Sequence, residues 1–562
     1  MPDRVLVAVA WPYVNGPPHL GHIAGNTLPA DIFARYHRLA GNHVLMVSGS
    51  DQHGTPVALR ARLEGVSPGE IADRYHRVFA ETNERMGFSF DLYTRTGTEN
   101  HREVVHDVFT KLLAGGHLVE GTTTMPFCET EGRFLSDRFV EGTCPHCGST
   151  EARGDQCDRC SKTLDPTDLI GIHCRADGSI PVFRETKHYF FRLSAFQGRL
   201  EEWVAKQEQW RPSVRNMTLG MLREGLRDRA ITRDIDWGVA VPVEGYEGKR
   251  IYVWFEAVIG YLSASKEWAK RNGDSDAWRA WWEDAEARCF YFQGKDNIPF
   301  HTIVWPSMLM GYGGLNLPYD VPANEFLTLQ GRALSTSHNW AVWLPDYLER
   351  YEPDPLRYYL SAIMPETSDS DFSWEGYVRR NNDELVATLG NFVHRVLTMT
   401  VRNFAGRVPE PGALDEADRS ALAACDAALA DAARNLEGRR FRDGLQAMMS
   451  LAQHGNRYVD AKAPWAAVKS DRAAAATTLW TALNLVGTLR TLAYPFLPFS
   501  AQKMHALLGL DGDILEGGWK RPALEPGRRL GKPVPLYTKL DESVVEEETA
   551  RLEAAGARAK GA

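Results

Sequence analysis

The chain has 562 residues, carries a formal net charge of −9 and is 44% hydrophobic. One hydrophobic core cannot serve this length, so we expect about three or four domains. The acidic balance argues against a protein that coats nucleic acid indiscriminately, although a local basic face can still hold one folded RNA. Because no apolar run reaches the ~20 residues of a membrane span and no signal-peptide pattern opens the chain, we expect a cytoplasmic protein without a membrane contact.

The first informative stretch joins a strand to a helix through a turn that carries two histidines. Residues 5–9 predict a strand buried in a parallel sheet, and residues 29–39 predict the helix. A glycine and two prolines at 16–18 stop regular structure and place His19 and His22 at the helix entrance, where free N–H groups and the helix dipole attract anions. This pattern predicts a phosphate site. The alternatives are a satisfied histidine pair or half of a metal site.

A second apolar run at residues 43–47 completes a strand–helix–strand unit. A right-handed crossover places both strands in one parallel sheet, and ligands bind beyond the carboxyl ends of such strands. Asp51 follows the second strand, so we expect its carboxylate to face the same crevice as the histidines. On residue type alone, Asp51 could instead cap the helix that begins near Thr55.

Four of the eight cysteines form two Cys-x-x-Cys pairs separated by nine residues: Cys144, Cys147, Cys157 and Cys160. This spacing predicts a tetrahedral site closed by four thiolates, which has no position for a catalytic water and is therefore structural. We expect zinc, with iron as the alternative. The segment at Cys174 looks like a second knuckle that has lost a cysteine, so we predict one metal ion per chain. The scattered remaining cysteines favour a reducing compartment over a disulfide framework.

The pattern of the sheet resumes after the cysteine-rich insertion, and we place its second half at residues 233–325. Residues 251–255 and 289–292 are apolar runs that we predict as strands. The loop of Gly294, Lys295 and Asp296 directly follows the second run. A lysine suits a phosphate and an aspartate suits ribose hydroxyls, so we expect a nucleotide here.

Beyond residue 375 the hydrophobic period becomes that of a helix. An apolar stripe and two alanine-rich stretches, at 416–435 and 473–493, predict a helical bundle over residues 376–525. The stripe consists of Leu385, Leu389, Phe392 and Val396. The expected fold class is therefore α/β, a doubly wound parallel-sheet (Rossmann-type) domain split by a zinc-knuckle insertion and followed by an all-α bundle.

Taken together, residues 11–13, the His-Leu-Gly-His turn and the later segments resemble class I aminoacyl-tRNA synthetases, and most closely the methionyl-tRNA synthetase family, over nearly the whole chain. The resemblance implies a first catalytic half at 1–115, a connective insertion at 116–232, a second catalytic half at 233–325, a second-signature and stem-contact region at 326–375, an anticodon-binding domain at 376–525 and a tail at 526–562. The tail is too short for an added tRNA-binding or dimerising domain, so we expect a monomer.

The same resemblance implies the site residues. ATP-binding residues would be His19, Gly21, His22, Gly294, Lys295, Asp296, Ser335, Thr336 and Ser337. Methionine-binding residues would be Ala10, Trp11, Tyr13, Asp51, Trp254, Ala257, Tyr261, His301 and Trp305, with Asp51 receiving the α-amino group. Readers of the tRNA anticodon would be Asn391, Arg395 and Trp465. Each aromatic residue could alternatively be a core residue, and Asn391 and Arg395 could be a solvated pair.

The second signature of the family is altered in this chain. Class I synthetases carry Lys-Met-Ser-Lys-Ser, but here Ala333 stands at the first lysine and Thr336 at the second. A lysine there would neutralise pyrophosphate in the transition state, a charge-assisted contact worth ~1.5–3 kcal/mol. Arg332, one residue out of register, is our hypothesis for a substitute. The catalytic residues we expect are therefore His19, His22, Lys295 and Arg332.

The implied activity is ligation of methionine to tRNA(Met), both initiator and elongator, with ATP and Mg²⁺ and one structural zinc ion. A synthetase for isoleucine, leucine or valine is disfavoured, because those enzymes carry a much longer editing insertion. The alternative from another class is a paralogue with weakened or lost activation that serves as a tRNA- or amino-acid-binding module. Ala333 favours that alternative, and the retained ligand groups disfavour it.

Overall fold

The computed structural model describes residues 2–135, 139–154, 156–157, 159–160, 162–336 and 339–561. Its central sheet has five parallel strands, in the spatial order Ala323–Asn324, Arg288–Gly294, Arg4–Val9, His43–Ser50 and Leu92–Arg95. The three strands predicted at 5–9, 43–47 and 289–292 and the parallel pairing of the first two are confirmed. Valine, leucine and phenylalanine side chains on both faces are buried, as a sheet covered by helices requires.

The chain passes from the first strand to the second through a helix that changes its winding. A short helical turn, Leu20–His22, leads into a π-helical segment, Ile23–Thr27, and then into the α-helix Leu28–Leu39. The predicted helix at 29–39 is confirmed. The wide π-helical turn lies directly after the two histidines, a position where such turns often mark functional sites.

The remaining helices of the catalytic half surround the sheet: Thr55–Glu64, Pro68–Arg85, Glu99–Ala114, Val253–Arg271, Arg279–Trp282 and Trp305–Tyr312, with the π-helical Phe300–Val304. The prediction of a strand at 251–255 is wrong. The strand is only Arg250–Ile251, and the long helix begins at Val253. A short apolar run does not distinguish a buried strand from a buried helix, and here apolar residues continue along nineteen residues of helix.

The insertion is built on a long antiparallel pair, Leu118–Cys128 with Val182–Phe191. Short strands, Arg133–Phe134, Val140–Thr143, Ala152–Arg153 and Ile170–Cys174, hold the cysteine-rich loops, and the helices Gln197–Ala205 and Pro212–Glu224 follow. Small pairs at Arg229–Ala230, Thr232–Arg233 and Arg250–Ile251 lead back to the sheet.

A small three-stranded sheet consists of Arg332–Ala333, Leu327–Leu329 and Ser370–Phe372, and the helices Leu344–Leu348 and Pro353–Ala362 lie in the chain before its last strand. The helices after that strand are Trp374–Arg380, Asn381–Gly390, Asn391–Asn403, Glu416–Glu437, Phe441–Lys462, Pro464–Ser470, Arg472–Ala493, Pro498–Leu507 and Ser543–Gly561. Helices at both alanine-rich stretches are confirmed. The predicted stripe residues are all buried.

The bundle and the catalytic half share one hydrophobic cluster, which contains Val5 and Phe33 of the sheet side and Leu445 and Phe496 of the bundle. A buried ionic contact reinforces this junction. The Arg357 guanidinium donates to Asp31 at 2.6 Å and to the carbonyl oxygen of Phe496 at 2.8 Å. Within the described residues, no helix combines the length and the apolar character that crossing a bilayer requires.

Candidate active site

A cleft of about 280 Å³ opens at the carboxyl ends of the central strands. Ten residues expected at the site line it: Ala10, Trp11, Tyr13, His22, Asp51, Trp254, Ala257, Tyr261, Asp296 and His301. The loops after the first two strands are tied together by reciprocal backbone hydrogen bonds, from Val14 to Asp51 at 3.2 Å and from Asp51 to Pro12 at 2.9 Å. Parallel strands therefore bring these loops to one edge, as the sequence pattern predicts.

The two histidines cap the helix entrance with their own rings. The Gly21 N–H donates to His19 Nδ1 at 3.1 Å, and the His19 N–H donates to His22 Nδ1 at 3.1 Å. Because both Nδ1 atoms accept, each neutral ring carries its proton on Nε2 and can donate it to an anionic ligand. Burial lowers the pKa of His22 to about 4 and lowers the pKa of His19 well below its ordinary value. The helix entrance thus offers two neutral donors, and of these His22 lines the cleft whereas His19 does not.

Gly21 is a required glycine at this entrance. A Cβ there would lie 2.9 Å from the His19 ring and 3.0 Å from Leu334 of the second signature. The absence of a side chain lets the two signature segments approach each other.

Asp51 is buried at the edge of the cleft, with 3% of its surface exposed. Burial and the Glu256 carboxylate raise the pKa of Asp51 to about 8, and His53 opposes that rise. The alternative role of Asp51 as a helix cap is wrong, because the helix Thr55–Glu64 is preceded by Gly54 and has no side-chain cap. A buried carboxylate that faces a cleft is suited to an ammonium group.

An aromatic wall lies deeper in the cleft. Trp254 stacks on Phe300, with ring centroids 4.4 Å apart and planes 14° from parallel. The Tyr261 hydroxyl donates to His301 Nε2 at 2.7 Å, since His301 Nδ1 donates to the carbonyl oxygen of Asn297 at 3.0 Å. Burial lowers the pKa of His301 to about 4, so the wall is uncharged. Such a surface suits a polarizable thioether.

Trp305 does not line the cleft. It is buried, and its ring contacts Trp282 edge-on at 6.2 Å between centroids. Trp11, in contrast, packs so closely over Gly49 and Gly260 that a Cβ at either glycine would lie within 2.8 Å of the indole. These two glycines allow the Trp11 ring to form part of the wall.

The loop after the strand Arg288–Gly294 brings Asp296 to the cleft, but the ammonium group of Lys295 next to it points to two carboxylates outside the cleft. Lys295 Nζ pairs with Glu325 at 2.8 Å and with Asp369 at 2.9 Å, and it lies 4.1 Å from the ring centroid of Phe326. Neither Gly294 nor Lys295 lines the cleft. For Lys295 to hold a phosphate, its ammonium must exchange these carboxylates for the ligand.

The second signature segment is largely exposed. The Arg332 guanidinium lies 3.8 Å from the ring centroid of Trp340, and Ala333 pairs with Thr328 in the small sheet. Ser335 and Trp340 exchange two backbone hydrogen bonds, and Thr336 accepts one from Asn339. None of these expected residues lines the cleft. Ser337, also expected at the ATP site, lies outside the described residues.

The four predicted thiolates lie together, with all sulfur atoms within 4.8 Å of one another. Cys144 Sγ is 3.9 Å from Cys160 Sγ, and Cys147 Sγ is 3.6 Å from Cys157 Sγ. Tetrahedral zinc with Zn–S bonds of ~2.3 Å requires S–S separations of ~3.8 Å, so the donor set fits zinc. Cys157 and Gln156 also line the cleft, which places the knuckle against the active site.

The segment at Cys174 has partners that the sequence analysis missed. Cys128, Cys174 and Asp177 offer ligand atoms within 4.8 Å of one another. Glu131 also follows the Cys128 turn, but its carboxylate pairs with Arg62 at 2.6 Å. The turns Cys144–Ser149 and Cys174–Ser179 have the same local geometry. In each, the cysteine N–H donates to the serine carbonyl oxygen at 2.8 Å.

Two of the three expected anticodon readers lie together on the bundle. The Arg395 guanidinium is 5.5 Å from the ring centroid of Trp465 and pairs with Asp460 at 2.8 Å. Trp465 is 46% exposed, so it is not an anchor of the bundle core. Asn391 lies one helical turn before Arg395 and is also exposed. The region thus presents an exposed indole beside a guanidinium.

The family model described as "tRNA synthetases class I (M)" matches residues 5–397, and that described as "Anticodon binding domain of methionyl tRNA ligase" matches residues 408–558. The chain belongs to the methionyl-tRNA synthetase family. The methionine–tRNA ligase of Thermomicrobium roseum is 52% identical over 98% of this chain and 99% of that protein. That of Dehalococcoides mccartyi strain 195 is 53% identical over 98% of this chain and all of that protein.

Solved structures agree with this family membership. The methionyl-tRNA synthetase of Mycobacterium tuberculosis in complex with methionyl-adenylate superposes with a TM-score of 0.79 and 28% identity. The match covers 96% of this chain and 100% of that one.

Sequence reasoning missed several residues of the cleft, among them Asn26, Asn297 and Phe326. Asn26 lies four residues after His22, so the periodicity of a helix could have identified it. Phe300, which stacks on Trp254, directly precedes His301 in the sequence. The expected strand at 251–255 conceals Glu256, which lies on the helix Val253–Arg271 behind the cleft.

Proposed function

We infer that this chain is a methionine–tRNA ligase, which activates methionine with ATP and transfers it to tRNA(Met). The observation that carries the inference is the cleft itself, which combines a buried carboxylate, an uncharged aromatic wall and imidazole donors at the carboxyl edge of a parallel sheet. Full-length similarity to methionine–tRNA ligases supports it.

In this proposal the methionine carboxylate attacks the α-phosphorus of ATP, which enters as its Mg²⁺ complex, and pyrophosphate leaves. Asp51 holds the α-ammonium, and the wall of Trp254, Tyr261 and His301 receives the thioether. His19 and His22 donate from Nε2 to phosphate oxygens. Catalysis then consists of positioning and electrostatic stabilisation, without a protein nucleophile.

The nucleotide end of the proposed site depends on Asp296 and Lys295. Asp296 lies at the cleft and is suited to the ribose hydroxyls, whereas Lys295 must leave Glu325 and Asp369 to reach phosphate. Gly294, Ser335 and Thr336 are further proposed ATP contacts. The Arg332 guanidinium lies over the Trp340 ring, so its proposed role also requires rearrangement of the loop.

We propose one structural zinc ion, held by the four knuckle thiolates. Its removal unfolds a segment that contributes Gln156 and Cys157 to the cleft, so a chelator should reduce activity through that wall. Metal analysis of the purified chain tests the stoichiometry, since a value near two would assign a second ion to Cys128, Cys174 and Asp177. A reduced thiolate site and a tRNA substrate support a cytoplasmic location, and we propose a monomer.

Asn391, Arg395 and Trp465 are the proposed anticodon readers. An exposed indole can stack on a splayed base while the guanidinium and the amide bind base edges. Trp465→Ala should therefore weaken charging of both initiator and elongator tRNA without changing ATP–pyrophosphate exchange, which requires no tRNA.

The deciding experiment is ATP–pyrophosphate exchange with each amino acid, followed by charging of tRNA(Met). Exchange that depends on methionine alone, followed by charging, is the expected result. Absence of exchange at saturating methionine and ATP would instead support the second candidate, a binding module with lost activation. That candidate is favoured only by Ala333 and by the carboxylate partners of Lys295.

A further inference from the structure

A buried ionic cluster lies directly behind Asp51. Its centre is Glu256, which is fully buried on the helix Val253–Arg271. His53 Nδ1 contacts Glu256 Oε1 at 2.5 Å, and His101 Nε2 contacts the same oxygen at 3.2 Å. Neither His53 nor Glu256 lines the cleft, so the cluster belongs to the support of the site rather than to its surface.

His53 connects this cluster to Asp51. The backbone N–H of His53 donates to Asp51 Oδ1 at 3.2 Å, while the side chain turns away from the cleft to Glu256. Trp237 fixes this segment, because its indole N–H donates to the carbonyl oxygen of Gln52 at 2.6 Å and its ring meets the His53 ring edge-on at 5.3 Å. His53 therefore binds Asp51 through its backbone and Glu256 through its imidazole.

The charges of these three groups depend on one another. Burial opposes the charged form of His53, but Glu256 and Asp51 raise the pKa of the imidazole above its ordinary value. Burial likewise opposes ionisation of Glu256, but His53 and His101 lower its pKa to about 2. When Asp51 is ionised, the histidinium and the two carboxylates together carry one net negative charge, which one ammonium neutralises.

We propose that His53 is a positioning residue for methionine, which favours the ionised form of Asp51 by compensating the buried charge of Glu256. This inference rests on the proposed assignment of Asp51 to the methionine amine. The expected effect on affinity is opposite to that of simple charge repulsion, under which loss of the His53 cation would strengthen the binding of an ammonium. Without His53, repulsion from the Glu256 carboxylate is no longer compensated, ionisation of Asp51 becomes less favourable, and the ammonium loses its partner.

The test compares methionine with its desamino analogue, in which hydrogen replaces the α-amino group. Calorimetric affinities of the full-length chain for both ligands give an amine ratio, the dissociation constant of the analogue divided by that of methionine. His53→Gln should lower this ratio by about tenfold, the effect of one pKa unit. The analogue itself should bind as it does to the wild type.

The matched control is His101→Gln, which removes the other imidazole of Glu256 without a contact to Asp51. Its amine ratio should stay within about twofold of the wild type, well below the effect of a full pKa unit. The double variant His53→Gln with Glu256→Gln should recover most of the lost ratio, because it removes the repelling carboxylate too. This recovery also shows that the chain folds, since disruption of the fold cannot be rescued by a second truncation of the same pair.

An unchanged ratio in His53→Gln, an equal loss in His101→Gln or a failure of the double variant to recover would each overturn the proposal. Asp51→Asn distinguishes the proposed role of Asp51 from that of His53. If it leaves the amine ratio unchanged, the proposed assignment of Asp51 fails. If it lowers the ratio while His53→Gln does not, only the role of His53 fails.

Discussion

The two signature segments of this chain touch at Gly21 and Leu334 but are held in opposite ways. The first is partly buried, and each of its histidine rings accepts a backbone N–H, which fixes both ring tautomers. The second is exposed, lacks the family lysine at Ala333 and keeps Arg332 stacked on Trp340. In the proposed mechanism, electrostatic stabilisation of the phosphates therefore rests on the first segment, while the second, open segment must rearrange to contribute.

The largest expected effect is on the free energy of unfolding, at the buried pair of Arg357 and Asp31 behind the first signature segment. Arg357→Ala removes a fully buried partner of Asp31, leaves only Arg35 to pair with that carboxylate and leaves a cavity. It should lower the free energy of unfolding by ~3–5 kcal/mol, measured by urea denaturation. Arg60→Ala, which removes an exposed pair with Glu64, is the control and should unfold as the wild type does. Equal stability of both variants would show that the buried pair does not support the first signature.

The same pair should make the chain sensitive to acid. Although burial opposes it, Arg35 and Arg357 lower the pKa of Asp31 to about 2. A depressed carboxylate contributes stability above its unfolded pKa of about 3.9, and this contribution is lost as pH falls through about 2.

His22→Ala tests the contribution of the first signature segment directly. It removes one donor to the phosphates, and the rate of methionine-dependent ATP–pyrophosphate exchange should fall by about 10²–10³-fold, or ~2.7–4 kcal/mol. His43→Ala, at an exposed histidine of the second strand, should leave the rate unchanged. A loss of less than about tenfold would show that the open segment contributes more than its geometry indicates.

Ala333→Lys tests the contribution of the second signature segment. A restored ammonium should raise the exchange rate by about tenfold to hundredfold, the equivalent of ~1.5–3 kcal/mol, and should partly rescue His22→Ala. Ala333→Gln, which adds length without charge, should give no gain. If lysine and glutamine behave alike, the second segment does not reach the phosphates.

The affinity for methionine should depend on pH through the rigid edge of the cleft. Asp51, with a pKa of about 8, binds ammonium only when ionised, so affinity should rise by about tenfold per pH unit up to pH 8. Electrostatic interactions couple the ionisation of this carboxylate to His53, Glu256 and Tyr261. The desamino analogue should lack the slope, and a slope that survives in Asp51→Asn would contradict the assignment.

The smallest effect is expected at Arg332. Its guanidinium makes one exposed stacking contact, so Arg332→Ala should change the exchange rate by less than about threefold. A larger loss, measured beside Arg271→Ala as an exposed control, would show that the arginine replaces the missing lysine.

The sequence predicted local features well. The strand–turn–helix at His19 and the knuckle of four cysteines are each encoded in a few neighbouring residues, because turn residues and ligand spacing act over short distances. The strand expected at 251–255 failed for a related reason, since length alone distinguishes a buried strand from a buried helix. Its failure concealed Glu256, which a helical register would have placed opposite Trp254.

Features that depend on distant residues could not be predicted. His53 meets Glu256 across 203 positions of the chain, and Lys295 meets Asp369 across 74. No local pattern specifies such pairs, so the direction of Lys295 and the charge of the Asp51 site emerge only from the fold. The proximity of Cys128 and Cys174 also depends on residues far apart in the chain. Cys128 ends one strand of the long antiparallel pair, and Cys174 lies shortly before the other strand.

The hydrophobic cluster shared by the sheet and the bundle has a consequence for folding. Val5 and Phe33 lie in one apolar core with Leu445 and Phe496, so separating the halves exposes a large apolar surface on each. The catalytic and helical regions should therefore unfold in one cooperative transition, and cleavage of the chain near residue 375 should not yield two stable fragments. Amino-acid activation and anticodon recognition thus depend on a single folding equilibrium.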